Sequence, residues 1–234
     1  MERLGEIDKA IILKLMFRDE LSFSELWDKK IRSNKFNYHL KKLISQGYIE
    51  KIGTKYFLTS KAKELIAYFN LGDLEIQKQP LAIIGIVLIS KGKILLQKLT
   101  KEPFKDCYAL VCGKLEFGEG IEKAAKRIAF EKTGYIIREP KLKAIVSLKT
   151  FENKELKYHH HFYIVVPASF SGNLKDSLDR ENKWIKIKEL KRYYHFPDID
   201  RELKLIKSSK LVFKEYNRQI KNKKILRHLL EKNL

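Results

Sequence analysis

The chain has 234 residues, 44% apolar and 33% charged, with 49 Lys and Arg against 29 Asp and Glu, a formal net charge of +20. This is the composition of a folded chain of one or two domains and excludes long disordered tails. The longest apolar run, Leu81–Ser90, is too short to span a bilayer. Two cysteines, Cys107 and Cys112, exclude a disulfide framework, and Met1-Glu2-Arg3-Leu4 carries no signal-peptide pattern, so the expected location is the cytoplasm.

Leu4, Ile7, Ile11 and Leu15 recur at helical spacing and predict an amphipathic helix over 4–17. Ser22 and Glu25 form a capping box before a short helix through Trp27. Ser33 is the expected N-cap of a third helix ending at Gly47, with Phe36, Leu40, Leu43 and Ile44 on one face. Two strand-like runs, Tyr48–Lys51 and Lys55–Thr59, flank a turn at Gly53. Ser60 then opens a fourth helix carrying Leu65, Ile66 and Phe69. Residues 29–63 hold ten basic side chains and one acid, Glu50. That density favours a polyanionic partner.

A short linker at 76–80 separates this region from a different pattern. Leu81–Ser90 and Ile94–Leu99 are strand runs around a Lys91-Gly92-Lys93 turn. Tyr108–Val111 is another strand, and a helix follows over Ile121–Thr133, closed by Gly134. Strand signals return at Ala144–Leu148, His160–Pro167 and Trp184–Ile187. Strands with an interposed helix predict an α/β sandwich. On a strand, His159 and His161 face one side and His160 the other. From Asp198 onward, Leu203, Ile206, Val212, Phe213, Tyr216 and Ile220 form an apolar stripe among eleven basic residues in 201–234, which predicts a basic C-terminal helix.

Helix, helix, helix, hairpin, helix is the order of a winged helix-turn-helix domain, and residues 5–70 resemble such domains in microbial transcription regulators. The resemblance makes 34–46 the recognition helix and 51–55 the tip of the wing. Asn34, Asn37 and Tyr38 would then reach base edges, and Lys35, Lys41, Lys42, Lys51 and Lys55 would hold phosphates of double-stranded DNA.

The segment Gly113–Tyr135 resembles a Nudix box. Gly113, Glu119, Arg127, Glu131 and Gly134 fall at the family's fixed positions, and Ala129 and Tyr135 at its two apolar ones. The resemblance covers about 80–210 and implies metal-assisted hydrolysis of a diphosphate linked to another moiety, with Mg as the metal where the site is active. The family's carboxylate positions on the helix read Ile128, Glu131 and Lys132 here, so of the three only Glu131 remains as a metal ligand. Two ligands are lost, and a cation stands where the metal would be attracted. Glu131 and Glu119 would be the catalytic carboxylates of an active site. Gly113, Lys114, Glu116, Arg127 and Lys132 are the expected ligand contacts. The usual Pro-Gly-Gly entry reads Val111-Cys112-Gly113.

The expected architecture is therefore a winged-helix domain over 1–75, a linker at 76–80, an α/β/α Nudix sandwich with a mixed sheet over 81–210, and a basic helix over 211–234. The expected function is a homodimeric DNA-binding transcriptional regulator whose Nudix-like domain binds a nucleotide-diphosphate-type effector without efficient hydrolysis. Nudix-related transcription regulators, which have the reverse domain order, lend the concept. The alternative is an active Nudix pyrophosphohydrolase with an accessory winged helix. A third reading is a nucleotide-binding or RNA-associated scaffold.

Overall fold

The computed structural model describes residues 4–66, 68, 78–102, 104–177, 179–221 and 224–230. The chain divides into two compact units, Met1–Lys78 and Gln79–Leu234. The expected end of the fourth helix at 70–73 and the first part of the linker, 76–77, lie outside the described residues.

The first unit contains helices α1 (Glu6–Met16), α2 (Phe23–Leu26), α3 (Ser33–Ser45) and α4 (Ser60–Ile66). Strands β1 (Leu21–Ser22), β2 (Ile49–Ile52) and β3 (Lys55–Leu58) form a small antiparallel sheet in the order β1-β3-β2. The capping box at α2 forms as its spacing requires: the Ser22 N–H donates to Glu25 Oε2 at 2.7 Å. Ile11, Leu15, Leu26, Phe36, Leu40 and Leu43 close a common core, so the apolar face of α3 points inward and leaves its other face to solvent.

The second unit is built on a nine-stranded mixed sheet. Its strands are β4 (Leu81–Ile86), β5 (Ile89–Ser90), β6 (Lys93–Leu99), β7 (Tyr108–Lys114), β8 (Ile136–Glu152), β9 (Glu155–Ser171), β10 (Arg180–Lys186), β11 (Val212–Lys221) and β12 (Lys224–Leu230). The order is β10-β6-β7-β4-β9-β8-β11-β12, with β5 paired to β6. The β4–β9 and β11–β8 pairs are parallel. Helix α5 (Ile121–Thr133) packs Ala124, Ala125, Ile128 and Ala129 on one face of the sheet. Helix α6 (Asp198–Leu205) places Ile199 in the layer on the other face. The result is an α/β/α sandwich.

Gly134 ends α5 with a φ of +77°, and a Cβ there would lie 2.5 Å from the Asn173 carbonyl oxygen. Both the left-handed turn and the close approach demand glycine. Among the described residues no helix is long and apolar enough to cross a membrane.

The C-terminal expectation is overturned. Residues 212–221 and 224–230 form an antiparallel hairpin that extends the sheet, not a basic helix, and 231–234 lie outside the described residues. Val212, Phe213, Tyr216 and Ile220 fit helical spacing by coincidence. In the strand, Tyr216, Arg218 and Ile220 are the inward residues, at a period of two. The ladder to β8 from Val212↔Ala144 to Ile220↔Glu152 overrides the weak local preference. The central hairpin is also far longer than its apolar runs, because Pro140 and Pro167 are both taken up within it, opposite one another.

Candidate functional site

The exposed face of α3 carries Asn34, Lys35, Tyr38 and Lys41, with Asn37 half-buried beside them. Lys51 is exposed on the β2–β3 hairpin. Two of the expected phosphate contacts point elsewhere. Lys42 Nζ turns inward and donates to Asp8 Oδ2 at 2.8 Å. Lys55 Nζ donates to Glu25 at 3.3 Å and lies 3.9 Å from Glu20. Asp8 is fully buried on α1 and also bonds His39 Nδ1 at 2.7 Å and the Gly5 N–H at 3.0 Å. Burial pushes its carboxyl up, but the bonds from Lys42, Gly5 and His39 more than offset this and hold it below the ordinary value. The cluster ties α3 to α1. It fixes the helix that presents the exposed face.

The box occupies the loop from Gly113 and helix α5. Arg127 organises it. Its Nε and Nη2 donate to the two Glu119 oxygens at 2.9 and 2.7 Å, and Nη2 also reaches the Lys114 carbonyl at 3.1 Å. Nη1 donates to Glu131 at 3.3 Å and lies 3.6 Å from Glu116. The guanidinium holds the Glu119 carboxyl below the usual carboxylate range. Glu119, Glu131, Glu116 and Lys114 are thus brought together, but as a brace of the loop.

The two altered positions have settled into structural roles. Ile128 is 1% exposed and packs against Gly113, where a Cβ would come within 2.8 Å of Ile128 Cγ1. Its side chain is part of the core under α5. Lys132 Nζ donates to Asp179 Oδ1 at 3.2 Å, ahead of Arg180 at the start of β10. β7 runs straight through Val111-Cys112-Gly113 as strand. Magnesium, which the family's chemistry implies, requires several oxygen donors in octahedral array. The residues present do not fit it. One family position is buried hydrocarbon, one is an ammonium, and Glu131 shares Arg127 with Glu119. Among the described residues no group of three or more His, Cys, Asp or Glu is placed to hold a metal ion.

None of the expected ligand, metal or DNA contacts lines the cavity of about 210 Å³ under α6, although Cys112 and His160 do. Phe104, Phe162 and Phe196 form apolar walls, and Asp198, Glu202 and Arg218 supply polar ones. Arg218 Nη2 donates to Asp198 Oδ2. His160 from β9 and the pair Cys112–Arg180, joined at 3.4 Å, also line it. Burial pushes the Glu202 carboxyl up to about 8, with the Asp198 charge adding to the rise. Burial also lowers the His160 imidazole, helped by Arg218. The sequence signal for this site was the i, i+4 spacing of Asp198 and Glu202 beside Ile199, which puts two acids next to an apolar helix face.

Comparison with known proteins agrees with this architecture. The model of the NUDIX domain matches residues 78–205. An ADP-ribose pyrophosphatase of Methanocaldococcus jannaschii is 29% identical over 114 residues, which is 49% of this chain and 66% of that protein. The chain therefore spans slightly less than two thirds of the length of that relative. The crystal structure of a MutT protein from Bacillus halodurans superposes with a TM-score of 0.54 at 20% identity, over 64% of this chain and 97% of the other. At that identity the likeness is one of fold.

Proposed function

The chain belongs to the Nudix family, and from that premise we propose that it is a DNA-binding transcriptional regulator whose Nudix domain senses a nucleotide-diphosphate-type ligand without efficient hydrolysis. The observation that carries this reading is the pair Ile128–Gly113 and Lys132–Asp179. Where hydrolysis by this family needs carboxylates, one side chain supports the core and the other is held in an ion pair. The ligand class follows the relative named as an ADP-ribose pyrophosphatase. The first unit is read as a winged helix-turn-helix, with α3 as recognition helix and the β2–β3 hairpin as wing. Its element order and the acid-free exposed face of α3 support this. On that face Asn34, Asn37 and Tyr38 read bases, while Lys35, Lys41 and Lys51 hold phosphates. A cytoplasmic homodimer reading paired half-sites completes the proposal. Ligand and DNA affect one another only as far as the ligand's affinities for the two states differ, and the effect is reciprocal.

An active hydrolase is the second reading, favoured by the retained Glu119 and Glu131 and by the enzyme relative. A screen of nucleoside-diphosphate-linked substrates with magnesium and manganese separates the two. The expected result is no turnover above background. Robust turnover that disappears in Glu131→Gln would overturn the sensor reading. The DNA reading has its own test in Lys35→Glu with Lys41→Glu. Duplex binding should be lost, or its salt slope reduced by about 2, since roughly one counterion is released per phosphate contact. Unchanged binding and slope would remove α3 from the interface.

A further inference from the structure

The β10 edge of the large sheet gathers positive charge that the fold does not neutralise. Residues 91–93 and 186–192 hold six cations, Lys91, Lys93, Lys186, Lys188, Lys191 and Arg192, and one acid, Glu189. All six cations are exposed. The two segments are joined. The Ile187 N–H donates to the Gly92 carbonyl at 3.0 Å, which sets the start of the 3-10 helix Ile187–Arg192 against the Lys91-Gly92-Lys93 turn.

Local geometry brings these cations together in pairs. Lys93 and Lys186 stand directly opposite across the antiparallel β6–β10 ladder. Side chains so placed share a face with Cβ atoms about 5 Å apart, and like charges there are destabilising. In a 3-10 helix, residues three apart eclipse one another. Ile187 and Leu190 take the inward row and pack in the core. Lys188 and Lys191 therefore form a second row, about 6 Å apart along the axis, which faces solvent. Arg192 follows Glu189 in the third row, but Glu189 accepts from Lys186 Nζ at 3.3 Å. Among the described residues no ion pair reaches Lys91, Lys93, Lys188, Lys191 or Arg192. Farther along the same strands the cations are compensated. Lys98 Nζ lies 3.0 Å from Asp106 and 4.0 Å from Glu181, and Lys183 Nζ sits 5.0 Å from the centre of the Tyr193 ring. Protection of an exposed edge needs only a charge on the strand itself. It does not account for cations on the turn and the 3-10 helix, nor for two pairs of like charges. A polyanion laid across this surface would relieve both pairs at once.

We propose that this edge, formed by 91–93 and 186–192, is a second contact surface for the phosphate backbone of double-stranded DNA. The inference rests on the DNA-binding reading of the first unit and extends it by giving the second unit phosphate contacts of its own. Phosphates recur about every 3.4 Å of axis on each strand, so lysines about 6 Å apart reach separate phosphates. Ammonium groups on phosphate hold a duplex without reading its bases. The edge adds affinity at any sequence, and specificity stays with α3. A duplex suits the surface better than a bilayer does, because Ile187 and Leu190, the apolar residues of the two segments, are turned into the core and leave no anchor for lipid.

The experiment measures binding of the full chain to two duplexes of unrelated sequence over a range of salt concentrations. It compares the wild type, the triple variant Lys93→Gln with Lys188→Gln and Lys191→Gln, and the α3 variant Lys35→Glu with Lys41→Glu. In the triple variant the slope of log K against log salt should become shallower by about 3, and affinity at about 0.1 M salt should fall tenfold or more on both sequences alike. Each single change should lower the slope by about 1, which keeps the test available if the triple variant folds poorly. A wild-type slope and affinity in the Gln variants overturns the inference and leaves the α3 reading intact. A shallower slope in the Gln variants with an unaltered α3 variant supports the edge and removes α3. If the Gln variants keep their duplex slope and lose binding to phosphatidylserine vesicles, the edge is a membrane contact and the inference is overturned. If the wild type binds neither duplex, the DNA reading falls and this inference falls with it.

Discussion

Two regions of the second unit each set an arginine among carboxyl groups and differ in how their charges are paired. Around the box, Arg127 pairs with Glu119, Glu131 and Glu116, and Lys132 with Asp179. Under α6, the buried Glu202 carboxyl lies beside the Asp198–Arg218 pair, and Arg218 Nε and His160 Nδ1 are buried without a hydrogen-bond partner. A satisfied network rigidifies, and an unsatisfied one keeps unmet bonding capacity. The contrast is between a box whose arginine is fully engaged by carboxylates and a buried cluster whose polar atoms are not.

The comparison can be broken most severely at Ile128. Ile128→Glu restores a family carboxylate but buries it against Gly113, and should cost roughly 5 kcal/mol or prevent folding. A variant of near wild-type stability in denaturant titration would mean that the box has room to regain a metal site. Glu202 gives the next effect. Burial raises its folded pKa from the ordinary carboxyl value near 4.5 to about 8, so its contribution is fully present below pH 4.5 and is lost as pH rises through 8. Stability should fall over that window by on the order of 4 kcal/mol, and Glu202→Leu should flatten the decline. A wild-type profile already flat from pH 5 to 8 would place the acid in contact with water. Arg127→Ala leaves the Glu119 carboxylate without its cation and should lower stability, with faster amide exchange in the loop 114–120. An unchanged exchange pattern would show that the loop holds itself. Lys132→Ala breaks a pair whose two side chains remain 27% and 34% exposed, and should change stability by less than about 1 kcal/mol. A larger loss would make that pair a structural necessity.

Much of this fold was legible in the residues. The α2 capping box, the turn at Gly53 and the closure of α5 at Gly134 each rest on local chemistry that tertiary contacts do not override. The loss of two metal positions was equally visible, since it depends only on register within one helix. What the sequence concealed depends on partners far along the chain. Lys42 is indistinguishable from Lys41 until α1 brings the buried Asp8 against it. The last hairpin was hidden because Arg218 and Lys214 interrupt the apolar alternation of β11, while its remaining apolar residues imitate a helix. The cavity was hidden for the same reason. Its polar floor joins a helix acid to a strand arginine, and a reading by hydrophobic pattern assigns both to the surface.

The parallel pairing of β11 with β8 also sets an order of assembly. The β8–β9 hairpin closes through a two-residue turn at Asn153-Lys154, whereas Val212 must find Ala144 across two intervening strands and α6. Local closures come early and distant ones late. During synthesis, Asp198 and Glu202 therefore emerge before the arginine that neutralises the first of them. The box is complete while the pocket is still open. β11 supplies the cation that pairs with Asp198, so that pair forms only once β11 has docked on β8.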